Sequence, residues 1–156
     1  MNDDAVTLDD FFPYQLAVAA EGFSRLLVEV YGRQYGLSRE EWRLLFLLAE
    51  EKEVSSSELS RRTTLDAVQV SRASQRLQDK GLITRSVPAE DRRLRVYKCT
   101  KRGRSLFAEA LPEVNARAKL ILAELSEHEH EALRTGLAAL TQAVQRVREP
   151  RQDDAV

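Results

Sequence analysis

Two helix-start signals stand close together in the middle of this chain, and their spacing constrains the fold more than any other feature. Ser55-Ser56-Ser57-Glu58 and Asp66-Ala67-Val68-Gln69 each set a capping side chain three residues ahead of a Glu or Gln. That is the pattern by which a helix N-terminus satisfies its free N–H groups. The first helix must end before the second begins, so it is short and closes near Thr63. The second runs to Lys80 and stops at Gly81, which tolerates a left-handed backbone. Leu82 to Ser86 and Leu94 to Cys99 then read as two strands around a polar turn marked by Pro88. A short helix, a turn, a longer helix and an arginine-studded hairpin follow the order of a winged helix-turn-helix.

Helices flank this unit on both sides. From Pro13, apolar Leu16, Ala20, Phe23, Leu27 and Val30 or Tyr31 recur at helical spacing, and Gly36 is placed to close that helix. Ser38 and Glu41 form another capping pattern, opening a second helix through Trp42, Leu45, Phe46 and Ala49. Thr100 is placed to cap a long helix through Phe107, Ala110, Val114 and Ile121, with Pro112 inside it expected to kink or break it. Ser126 and Glu129 start a last helix carrying Leu133, Leu137, Leu140, Val144 and Val147, and residues 2–8 and the last six read as free polar tails. The expected fold is mainly α with a small β-hairpin wing. A winged helix-turn-helix core over 37–111 is flanked by helical dimerisation segments at 11–36 and 112–148. The broad apolar faces of the end helices either pair with a second copy or fold back on the core of the same chain.

Composition narrows the function. A chain of 156 residues fits one domain. The acidic Met1-Asn2-Asp3-Asp4 start is unlike a signal peptide, no apolar run is long enough to span a bilayer, and Cys99 is the only cysteine. A cytoplasmic protein with no membrane partner is expected. Residues 61–104 hold ten Arg and three Lys against four acids, a net +9 inside a chain of net −1. A basic segment in an otherwise acidic chain suits a double-stranded DNA partner. No phosphate-cradling glycine loop, no nucleophile with a base and no metal-ligand cluster is present, so neither an enzyme nor a cofactor is expected. His128 and His130 are two apart and do not share a helix face.

Winding residues 67–80 at about 100° per residue gathers Val70, Ala73, Ser74 and Leu77 on one side. The other side carries Val68, Arg72, Gln75 and Asp79, flanked by Gln69, Ser71 and Arg76. Gln, Ser and Arg are types that bond base edges and phosphates in a major groove. Val68 either touches a thymine methyl or packs under the turn at Leu65. Ser55 and Ser57, at the start of the short helix, join the candidate contacts. In the wing, Arg85 and Arg95 lie on the strands and Arg92 and Arg93 at the turn, where arginine suits a narrow minor groove. Asp91 is expected to hold one of these arginines. A winged helix that binds only protein would show an apolar or acidic outer face instead.

Ser57-Glu58-Leu59, Val70-Ser71-Arg72, Arg76-Leu77, Asp79-Lys80-Gly81-Leu82-Ile83, Asp91-Arg92-Arg93 and Thr100-Lys101-Arg102-Gly103 together give the chain, from about Leu37 to Leu140, a further character. It resembles the MarR family of bacterial winged-helix regulators. The resemblance implies a homodimer with interlocked end helices, binding a near-palindromic operator as a transcriptional regulator, most often a repressor. It also implies a small anionic or aromatic effector held between the dimer region and the DNA module. Tyr14, Arg25, Tyr31 and Trp42 are candidates to line that pocket, and core packing or the dimer contact accounts for the same residues without a ligand. Cys99 stands where the family usually has leucine and reads as a buried small hydrophobe. Peroxide-sensing relatives carry their cysteine near the N-terminus, where this chain has none.

Overall fold

The structure is a computed structural model that describes residues 7–89 and 95–148. Its elements run α1 (Phe12–Arg33), α2 (Arg39–Glu50), β1 (Val54–Ser55), α3 (Ser56–Thr63), α4 (Ala67–Asp79), β2 (Ile83–Ser86), β3 (Val96–Cys99), α5 (Lys101–Leu122) and α6 (Glu127–Arg148). Two compact units are present, one ending at Ala118 and the other beginning at Lys119.

The helix starts follow the sequence signals. At α2 and α4 both halves of the capping box form: Ser38 with Glu41, and Asp66 with Gln69. Ser126 and Glu129 exchange the same pair of bonds before α6, at 2.8 and 3.3 Å. Ser55 caps α3 by accepting the Glu58 N–H at 3.2 Å. Glu58 does not complete that box, because Arg61 takes its carboxylate at 2.5 and 3.0 Å. Gly36 and Gly81 hold φ of +64° and +69° just past α1 and α4, conformations that would strain any residue with a Cβ.

Two expectations need correction. The sheet has three strands, ordered β1-β3-β2 and antiparallel, rather than the two of a plain hairpin. Val54 pairs with Tyr97 and Ser55 with Val96. A two-residue strand has no periodicity to betray it, and its second residue doubles as the α3 cap. Nor does Pro112 break α5, one of the two outcomes expected of it: the helix runs without interruption through the proline. Phe107 and Ala110 before the proline and Val114 after it are all buried. Packing on both sides thus holds the helix together, and Ala108, whose carbonyl loses its N–H partner, is exposed to water.

The core of the first unit gathers Leu44, Leu45 and Leu48 of α2, Leu59 of α3, Val70, Ala73 and Leu77 of α4, Leu82, Ile83 and Tyr97 of the sheet, and Phe107 and Ala110 of α5. Gly103 marks its tightest point. A Cβ there would overlap the Leu82 carbonyl oxygen and stand 2.8 Å from Cys99 Sγ. Only glycine lets the first turn of α5, capped by Thr100 Oγ1 on the Gly103 N–H at 3.0 Å, lie against the strand. Cys99 is buried as expected, and burial pushes its thiol pKa up, away from the reactive thiolate.

The ends present a different surface. On α1 only Val30 and Tyr31 are buried, while Phe12, Leu16 and Val18, and Phe11 at its N-cap, are exposed. No residue of α6 is buried, and Leu133, Leu137, Val144 and Val147 stand open to solvent. Among the described residues, no helix is long and apolar enough to cross a membrane.

Candidate nucleic-acid interface

The split faces of α4 come out as its periodicity indicates. Val70, Ala73, Ser74 and Leu77 are buried, and α4 packs against α2 and α3. Val68, Gln69, Ser71, Arg72, Gln75 and Arg76 are all exposed. Val68 is 57% exposed, which settles its alternative: it does not pack under the turn at Leu65.

Two of these side chains are already committed within the helix. Gln69 Oε1 accepts the Asp66 N–H at 3.0 Å in the capping box, so its amide NH2 is the group left to meet a ligand. Gln75 instead donates from Nε2 to Asp79 Oδ1 at 2.8 Å, which leaves its carbonyl oxygen and its second amide N–H to meet a ligand. Both orientations follow from chemistry, since a backbone N–H needs an acceptor and a carboxylate needs a donor.

Ser55 is half-buried and its Oγ lies 3.1 Å from the Oγ of exposed Ser57. Together with Ser56, Ser60, Ser71, Ala67, Val70, Arg95 and Tyr97 beside it, Ser57 lines a cavity of about 370 Å³ between the starts of α3 and α4 and the base of the wing. Hydroxyls and a guanidinium around one concavity suit a phosphate oxygen. Arg85 on β2 and Arg95 just before β3 are exposed, and the Arg95 carbonyl accepts the Ser56 N–H at 2.9 Å, tying wing to α3. Asp91, Arg92 and Arg93 lie outside the described residues.

The basic segment is less available than its net charge suggests. Arg61 pairs with Glu58, Arg62 with Glu51, Lys80 with Glu41 and Lys98 with Glu53. All four acids precede the segment in sequence, so local pairing offsets four of its thirteen bases. The Arg61 guanidinium holds the Glu58 carboxyl below its usual range.

The four pocket candidates are not brought to one place. Tyr31 and Trp42 stack face to face, centroids 5.1 Å apart and planes at 4°, and both are buried. Burial pushes the Tyr31 hydroxyl pKa up. Arg25 is exposed and paired with Glu21 at 3.0 Å, and Tyr14 sits earlier on the exposed part of α1, about 25 Å along the helix from Tyr31. A second cavity of about 380 Å³ does reach Trp42. Arg43, Phe46, Leu47, Glu50, Arg62, Thr63 and Thr64 complete its lining. Sequence reasoning did not name Arg43, Phe46 or Phe107 for the pocket; the rings of Phe46 and Phe107 join the cluster at 6.2 Å (Trp42–Phe46) and 5.0 Å (Phe46–Phe107). Helical spacing on α2 marks Phe46 as apolar, but nothing local brings Phe107 to it. Thr64 is the one described non-glycine residue with positive φ (60°), a strained setting for a β-branched side chain. Its Oγ1 accepts from Arg43 at 3.4 Å.

Known proteins are similar to this chain in sequence and fold. The sequence profile of the MarR family matches residues 35–94. A probable transcriptional regulator of Pseudomonas aeruginosa, known from its crystal structure, is 32% identical; the match covers 86% of this chain and 99% of that one with a TM-score of 0.71. The HTH-type transcriptional regulator YdgJ of Bacillus subtilis is 28% identical over 127 residues, 81% of this chain and 75% of the relative. The crystal structure of NadR in complex with 4-hydroxyphenylacetate has the same fold, at 24% identity and a TM-score of 0.67, covering 90% of this chain and 96% of that one.

Proposed function

We propose, from the premise that this chain belongs to the MarR family of transcriptional regulators, that it is a homodimeric repressor released from a pseudo-palindromic operator by a small anionic aromatic ligand. The observation that carries the DNA-binding part is the outer face of α4. A helix whose inner residues are fully packed presents Gln69, Ser71, Arg72, Gln75 and Arg76 to solvent, side chains that read base edges. Arg85 and Arg95 flank it on the wing, and Arg92 and Arg93 extend that role by sequence alone. Ser55 and Ser57 serve the phosphates.

Dimerisation is supported by the uncovered apolar residues of α1 and α6, which a second copy would bury. The dimerisation segments are 11–36 and 112–148, and the reader is 37–111. Two-fold symmetry then sets the α4 helices about 34–36 Å apart, one turn of DNA. The ligand reading is supported by the cavity beside Trp42, where Arg43 offers positive charge next to aromatic rings. NadR, which shares the fold, binds 4-hydroxyphenylacetate.

Gel-shift titration on the DNA upstream of the gene tests the reading. A specific, salt-sensitive complex that 4-hydroxyphenylacetate or a related aromatic acid dissolves is the expected result. No shift at low salt on any promoter fragment overturns it.

A further inference from the structure

Lys80 counts toward the basic segment, yet it is turned away from the DNA-reading face. It caps the C-terminal end of α4. Its Nζ donates to the Gly36 carbonyl oxygen at 2.6 Å and to the two oxygens of Glu41 at 2.8 and 2.9 Å. An ammonium has three N–H donors, and all three are spent. Glu41 is 2% exposed, and its Oε2 also accepts the Ser38 N–H at 2.7 Å. A buried carboxylate persists only when paired and hydrogen-bonded in this way. Lys80 therefore cannot reach a phosphate without leaving that carboxylate unpaired.

Gly36 and Ser38 bracket the elbow between α1 and α2. One ammonium thus joins the end of the reading helix to both sides of that elbow. The packing of Val70, Ala73 and Leu77 on the core is apolar and non-directional, so the clasp is a directional polar contact between the end of α4 and the elbow. We propose that Lys80 is a positioning residue: its clasp on Glu41 and Gly36 sets the rotation and axial position of α4 against the α1–α2 elbow, and so the half-site spacing that a dimer accepts. The proposal rests on the reading of the chain as a dimeric DNA-binding regulator.

The test compares full-length wild type with Glu41→Gln/Lys80→Met, which leaves no lone charge and keeps an acceptor for the Ser38 N–H. Affinity is measured for the operator and for the same operator with one base pair inserted between half-sites, over a range of salt. Expected are about a tenfold loss on the native spacing, within what coupling residues carry, a smaller penalty for the insertion, and an unchanged salt slope. Hydrogen exchange on the free protein should quicken at the last turn of α4 while its first turn is unchanged. Should the double variant melt below the assay temperature, Glu41→Gln alone carries the same comparison, because the ammonium it leaves is 37% exposed and can be solvated. A folded variant with wild-type affinity and spacing penalty overturns the proposal, as does a salt slope lowered by about one, which would make Lys80 a phosphate contact. If wild type binds no operator, the functional reading fails, and the exchange measurement still decides the clasp: unchanged exchange along α4 overturns it.

Discussion

Gln75 on the outward face of α4 donates one of its two amide N–H groups to Asp79 one turn later, at 2.8 Å, which ties the amide nitrogen to the helix and leaves the carbonyl oxygen and a single N–H to meet a base. A bidentate pair with adenine needs the oxygen and an N–H aimed together at the base edge, and the bond to Asp79 restricts how the amide can turn to give it. Asp79→Ala frees the amide. The expected outcome is a shift of preference toward adenine at one operator position per half-site, by about 1–3 kcal/mol. Selection from a randomised operator library checks it, and an unchanged base profile refutes it.

Arg95 stands beside the serine-lined cavity at the root of the wing. Arg95→Ala should weaken binding to specific and non-specific DNA alike. The slope of log K against log salt should fall by roughly 0.9, one phosphate contact. Arg72→Ala should instead cost about 1–3 kcal/mol on the operator and relax specificity at one position. Binding isotherms at several salt concentrations separate the two.

Glu21 on α1 takes both guanidinium N–H groups of Arg39, at 2.8 and 3.0 Å, and a third bond from Arg25. The hydrogen bonds from Arg39, then Arg25, lower its pKa to about 2, from the ordinary 4.5. A carboxyl with a depressed folded-state pKa contributes its stability above the unfolded value and loses it as pH falls through the folded one. The Tm gap between wild type and Glu21→Gln should therefore be full near pH 7, begin to close below about pH 4.5 and vanish near pH 2. A gap that does not narrow across that window counts against the pairing.

Gly103→Ala forces a methyl against the Leu82 carbonyl and Cys99 Sγ. Backbone on one side cannot yield cheaply. A loss of several kcal/mol is expected, in the range of overpacked cores. Chemical denaturation measures it.

Ser74 has the opposite character. Its hydroxyl is buried on the inner face of α4 with no hydrogen-bond partner among the described residues. Removing an unsatisfied buried hydroxyl recovers about 1–3 kcal/mol, and alanine also favours the helix. Ser74→Ala should melt higher and bind DNA unchanged, because the side chain never reaches the outer surface. A variant that melts lower shows that the hydroxyl has a partner.

Much of the architecture was legible in sequence because its signals are local. Ser38 with Glu41, Asp66 with Gln69 and Ser126 with Glu129 each act across three residues, and the two faces of α4 follow from its period alone. The outward set Val68, Gln69, Ser71, Arg72, Gln75 and Arg76 followed from the same wheel. The pocket candidates did not converge in the same way, because types on α1 and α2 say nothing about their separation along a helix: Tyr31 meets Trp42, and Tyr14 lies turns away.

The sequence by itself determined where helices begin, which side of α4 turns inward and which family the chain resembles. Only the tertiary structure decided which charges are free. Lys80 finds Glu41 across 39 residues, Arg62 finds Glu51 and Lys98 finds Glu53, so bases that look alike in a charge count differ in whether an acid already partners them. The third strand and the unbroken α5 belong with them. Caps and periodicity act between near neighbours on one element, whereas ion pairs, strand partners and the packing that carries a helix through a proline depend on which distant segments the core brings together.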